Sequence, residues 1–192
     1  MRGFEFARKI ENDELVYDVD GNELLAYPEA QLPEYQTKNS AGADFFCAEE
    51  VVIPSIWGGV LSLVTSGVMS LISRDLNDID TEDFFKPVLV HTGIKASMEE
   101  DEVLELYNRS SNPKKLGLIL ANSVGVVDSD YYNNVSNDGE IMFSFFNFKP
   151  WSVTLKVGDR IGQGVFKKVL RPEFGLRVKD VERKGGLGST GM

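Results

Sequence analysis

Short β-type runs, each ended by glycine, proline, asparagine or aspartate, recur along this chain and leave few folds open to it. They read EVVIPS (50–55), PVLVHTGI (87–94), LGLIL (116–120), SVGVVD (123–128), EIMFSFFNF (140–148) and VTLKVGDRIGQGVF (153–166). Strands this short, rich in β-branched and aromatic residues and bounded by turn formers, predict an all-β sandwich or barrel. The Phe-rich run EIMFSFFNF alternates imperfectly, which predicts a strand buried on both faces. No internal repeat or low-complexity tract is present.

At 192 residues the chain is one domain's worth, with room for an extension or an insertion. Residues 1–30 form an N-terminal extension whose turn signal VDGN, flanked by strand-like residues, predicts a β-hairpin. Residues 55–86 are an insertion in which Trp57, Val60, Leu61, Val64, Val68, Leu71 and Ile72 recur at helical spacing. Gly58, Gly59 and Gly67 weaken that face. A helix packed on the barrel or on a neighbouring subunit is the first expectation, a docking surface for a protein partner the second. The segment is too short and polar to span a membrane.

A formal net charge of −10 argues against a nucleic-acid or anionic-membrane surface, since both need basic patches. It does not argue against a nucleotide, whose phosphates a few local cations, backbone N–H groups and a metal ion can hold. The lone Cys47 suits a reducing cytoplasm, and MRGFEFARKI lacks the apolar core of a signal peptide. A single histidine, His91, leaves no material for a His-rich metal site; at a strand end it reads as incidental. Glu99–Glu100–Asp101–Glu102 is too contiguous to converge on one ion and reads as a solvated loop.

The richest ten residues are Asn122–Tyr131, NSVGVVDSDY. Val124, Val126 and Val127 favour a strand, and Asp128 and Asp130 fall where it should end in a turn. On an extended backbone the two carboxylates would share a face. One could take a proton from water, and the Asn122 amide could read a polar ring.

Four further segments stand in order around this one: LPEYQTKNSAGADF (32–45), NRSS (108–111), GDRIGQ (158–163) and RKGGLGSTG (183–191). Together the five resemble the motif set of the homotrimeric dUTPases, from about Leu32 onward. The motifs resemble those of phage and Gram-positive bacterial versions. The resemblance implies a distorted jelly-roll β-barrel with a glycine-rich C-terminal arm (180–192) and hydrolysis of dUTP to dUMP and pyrophosphate. Such a reaction keeps uracil out of DNA and supplies dUMP for dTMP synthesis.

On the same resemblance Asp128 is the catalytic base, since a carboxylate can orient and deprotonate a water for in-line attack on phosphorus. Asp130 fixes the turn. Asn122 reads uracil together with backbone groups of the hairpin near Gly125, because an amide alone could flip to suit cytosine. The Tyr131 ring packs beneath the sugar and excludes a 2′-OH. Arg109, Ser110, Ser111 and Gln163 contact phosphates, and Asp44 acts structurally or through water near magnesium. Mg2+ itself prefers phosphate oxygens and water. Arg183, Leu187, Gly188, Ser189 and Thr190 belong to an arm that closes over substrate on a neighbouring subunit, so that each site is shared.

The pattern departs from the family in two places. Leu187 stands where an aromatic ring usually stacks on uracil, and Arg183 lies one residue closer to the glycines than in many members. Two rival readings remain. A dCTP deaminase relative would use a glutamate, and Glu140 lies just downstream of the hairpin. A partner-binding regulator on the same fold would use the insertion.

Overall fold

A computed structural model describes residues 1–58 and 86–174. The helical face expected within the insertion beyond Gly58, and the C-terminal arm, lie outside the described residues.

Thirteen strands are present among the described residues. A four-stranded sheet runs in the order β10 (Gly125–Asp128), β8 (Glu102–Asn108), β13 (Arg160–Lys168), β4 (Ala43–Phe46). A three-stranded sheet runs β6 (Val88–His91), β11 (Met142–Asn147), β9 (Leu118–Leu120). Smaller pairs complete the all-β barrel: β1 (Gly3–Phe6) with β7 (Ile94–Ser97), β5 (Val51–Ile53) with β12 (Val153–Leu155), and β2 (Ile10–Glu11) with β3 (Glu14–Leu15). All the strand pairs are antiparallel.

The two larger sheets share one apolar core. Phe45, Leu104 and Ile161 from the first meet Val90, Leu118, Phe143 and Phe145 from the second. The rings of Phe45 and Phe143 lie 5.6 Å apart between centroids. Gly162 makes this approach feasible: a Cβ there would sit 1.9 Å from the Phe143 ring, so only a bare backbone lets β13 run beneath it.

Several expectations change on folding. The Phe-rich strand β11 buries one face, not two: Phe143, Phe145 and Asn147 are buried while Met142, Ser144 and Phe146 keep partial exposure. Its sheet covers the core on one side only within a single chain. The N-terminal extension makes two turns instead of one. Asp18 caps the expected VDGN turn through the backbone N–H groups of Asp20 and Asn22. The second joins β2 to β3 through Asn12 and Asp13, both at positive φ, as a two-residue type I′ loop requires.

The acidic run is not uniformly solvated either. Glu102 opens β8 opposite Lys168, and its buried carboxylate pairs with Arg2 at 2.5 Å. Cross-strand pairing there overrides composition.

Candidate active site

The hairpin around Asp128 is built by strand pairing and then by a tight turn. Residues 125–128 pair with Leu106–Val103 of β8. Gly125 lies against Leu106, where an added Cβ would meet the leucine Cβ at 3.0 Å. Extended structure stops at Asp128, and Ser129–Tyr131 form one 3-10 turn. Asp130 therefore leaves the strand's alternation and does not share an extended face with Asp128. Both carboxylates are exposed and line a cleft of about 380 Å3, together with Glu100, Glu102 and Arg171. Asn122 is exposed on the turn that leads into β10.

Tyr131 differs from these neighbours. It is 7 % exposed and belongs to the core. Its hydroxyl donates to the Glu140 carbonyl at 3.1 Å and accepts from Asn137 at 2.9 Å. A sugar could meet only the small area left open, and that area is held rigid.

A second cluster forms around Asp44. Asp44 and Gln163 are cross-strand partners, which places their side chains on one face of the sheet. Gln163 Nε2 donates to Asp44 Oδ1 at 2.8 Å. Arg160 Nη1 donates to Asp44 Oδ2 at 3.2 Å and to Gln36 Oε1 at 2.9 Å. Arg109 Nε lies 3.9 Å from Asp44 Oδ1, and its Nη1 donates to the Arg160 carbonyl at 3.0 Å. Ser110 is exposed, and Ser111 begins a short π-helix without capping it through its side chain. The buried Asn112 amide anchors this segment by donating to the Ile161 carbonyl at 2.7 Å and to Asn108 Oδ1 at 2.8 Å.

The sequence reading did not nominate Arg160, Gln36 or Arg171. Arg160 lies inside GDRIGQ, where regular alternation would put it on the face opposite Gln163; a bulge between Arg160 and Gly162 brings both onto the Asp44 face.

The two clusters stand apart. Asp128 pairs with Val103, six positions before Arg109, so about 20 Å of β8 separates them at about 3.4 Å per residue. Within one chain the expected base and the expected phosphate ligands do not meet. Arg183 and Leu187–Thr190 lie outside the described residues.

Other nominated groups have structural partners. Glu140, the glutamate of the deaminase reading, is buried and accepts from the Gly93 N–H at 3.0 Å, while the His91 ring nitrogen lies 3.0 Å from its carboxylate. That hydrogen bond raises the pKa of His91 against the opposing effect of burial. Cys47 is buried, and desolvation pushes its thiol up to about 11, which makes it a poor nucleophile. No three His, Cys, Asp or Glu side chains converge to hold a metal among the described residues. Both Asp44 oxygens already accept hydrogen bonds. The described residues thus do not build a magnesium cage. No described helix is long and apolar enough to cross a membrane.

A dUTPase family model matches residues 76–191. The deoxyuridine 5′-triphosphate nucleotidohydrolase of Lactococcus lactis is 35 % identical over 191 residues, covering 100 % of this chain and 98 % of that protein. The chain belongs to the dUTPase family. Among solved structures, the dUTPase of Streptococcus mutans is 35 % identical, with a TM-score of 0.61 over 90 % of this chain and 99 % of its own. A mutant dUTPase from phage phi11 of S. aureus, described with a structural Mg(II) ion, is 18 % identical with a TM-score of 0.55 over 81 % and 95 %. At that identity it shares the dUTPase fold alone.

Proposed function

We propose that this chain hydrolyses dUTP to dUMP and pyrophosphate in a site assembled from several copies in a homotrimer. The observation that carries the reading is the Asn122–Tyr131 hairpin. It holds an exposed carboxamide and an exposed carboxylate at opposite ends of β10 while pinning a tyrosine beside them.

In this reading Asn122 and backbone groups near Gly125 read the uracil edge, and Tyr131 walls off the 2′ position. Asp128 takes a proton from water as its oxygen attacks the α-phosphorus in line. The bond to the oxygen bridging towards the β-phosphorus breaks, and pyrophosphate leaves. The leaving charge is met by Arg109, Arg160 and Gln163 of a different copy, with Asp44 orienting them. The roughly 20 Å between Asp128 and Arg109 along β8 favours that division. Arg183 and Leu187–Thr190 complete the cover over base and phosphates, an assignment that rests on sequence alone. A magnesium ion would be held mainly by triphosphate oxygens and water, with Asp44 reaching it at most through water, and would offset phosphate charge. Buried, reduced Cys47 fits a cytoplasmic setting.

The test is pyrophosphate release from dUTP with magnesium, beside dCTP, dTTP and UTP. We expect selective turnover of dUTP and a loss of at least about a hundredfold in kcat for Asp128→Asn. Ammonia release from dCTP, or equal turnover of UTP, would overturn the assignment.

A further inference from the structure

The turn that carries Tyr131 is tied to the N-terminal segment through one buried carboxylate. Arg8, just beyond β1, donates to Asp138 three times: from its backbone N–H at 2.7 Å, from Nε at 3.0 Å and from Nη2 at 2.6 Å. Lys95 of β7 donates from Nζ to the same carboxylate at 2.8 Å and to Asn133 Oδ1 at 2.6 Å. Strands β1 and β7 are paired, with Glu5 opposite Lys95, so adjacent strands deliver both cations to one acceptor. Glu5 also accepts from the Tyr132 hydroxyl at 2.8 Å.

Asp138 occupies a telling position in the loop. It sits between Asn137 and Glu140, the two residues that hold the Tyr131 hydroxyl. Asn133 and Asp138 both have positive φ, a conformation that costs free energy unless its surroundings enforce it. Gly139 passes so close that a Cβ would lie 2.7 Å from the Tyr131 carbonyl. A buried ion network adds little net stability over apolar packing of the same volume. It does impose direction, because a forked guanidinium accepts one geometry of carboxylate.

We infer that Arg8, Lys95 and Asp138 are positioning residues for Tyr131, so that the N-terminal segment sets how strictly the site rejects a ribose. The inference rests on the reading that Tyr131 meets the deoxyribose. Loosening the tether lets the ring retreat and opens room for a 2′-OH. Arg8→Gln is the informative variant, since Lys95 still neutralises Asp138 and no buried charge is stranded. Arg8→Lys keeps the charge but loses the fork.

The measurement is the dUTP to UTP ratio of kcat/KM in the full-length chain, for wild type, Arg8→Lys, Arg8→Gln and Tyr131→Leu. Expected is a graded fall, reaching about tenfold in Arg8→Gln, carried mainly by KM, with Arg8→Lys between it and wild type. The Lys variant alone reads the effect should the Gln variant fold poorly. A purely structural role would lower the melting temperature in the same order and leave the ratio unmoved, which overturns the inference. If Tyr131→Leu lowers the ratio and neither Arg8 variant does, only the tether falls. If Tyr131→Leu leaves it unchanged, or the wild type does not hydrolyse dUTP, the sugar reading falls and takes the inference with it.

Discussion

Asp44 and Asp138 look alike and behave as opposites. Each side chain is 2 % exposed, and each is flanked by two cations. Around Asp138 only Lys95 is enclosed, at 3 % exposed, while Arg8 is 26 % exposed. Around Asp44, Arg109 is 22 % and Arg160 41 % exposed. Most of the Arg8 fork is spent on Asp138, and Lys95 on Asp138 and Asn133. Arg109 and Arg160 touch their aspartate with fewer donors, and they also donate, respectively, to the Arg160 carbonyl and to Gln36. The first arrangement concentrates its donors on one carboxylate; the second commits fewer of them, which suits the phosphate role proposed for it. The number of donors that the flanking cations spend on the acid, more than their exposure, separates the two sites.

The sharpest way to break this contrast is Asp138→Ala. It strands Lys95 in the interior, so unfolding in urea should show a loss of about 3–5 kcal/mol. A loss below about 1 kcal/mol would mean that the network does not depend on that carboxylate. Arg109→Ala should act in the other direction. We expect kcat/KM for dUTP to fall by about a hundredfold or more, the scale of a lost charge-stabilising donor, while the urea midpoint barely moves. Asp44→Asn should lie between the two. It keeps an oxygen for Gln163 and leaves both guanidinium groups near solvent, so a stability loss of about 1–2 kcal/mol is expected, together with a raised KM.

Glu140 supplies the smallest and most graded test, because its partner His91 is only half-buried. The Glu140 hydrogen bond, despite burial of the ring and with Glu49 and Tyr27 nearby, raises the His91 pKa. A raised folded-state value means that protonated His91 stabilises the fold. That contribution is complete below the unfolded value of about 6.5 and is lost as pH rises through the folded value. The stability gap between wild type and His91→Asn, from urea melts at a series of pH values, should therefore narrow as the pH is raised. A constant gap would assign His91 to packing against Tyr27, whose ring lies 5.0 Å away.

The sequence was legible wherever information is local. The β-type runs became β5, β6, β9, β10, β11, β12 and β13, because β-branched and aromatic residues suit a half-buried pleat. Asp44, Arg109 and Gln163 were nominated through their motifs, and the fold brings their side chains together. What escaped was set by pairing across long separations. Arg8 and Asp138 lie 130 residues apart, and nothing local in FARKI or SNDGE marks them as partners. Glu102 was hidden in an acidic run because its burial depends on Lys168 opposite and on Arg2. Asn12–Asp13 carries no glycine, so its turn gave no strong signal until the positive φ angles were seen.

The division of the site between copies, proposed from the distance between Asp128 and Arg109 along β8, has a genetic consequence. A site divided between copies is composite, so two dead alleles can repair one another. Mixing unfolded Asp128→Asn and Arg109→Ala chains and letting them assemble together yields some sites that draw both intact residues, on the order of one in four for random cyclic assembly. Neither inactive parent could contribute such a site alone, and activity would emerge from the blend of two failures.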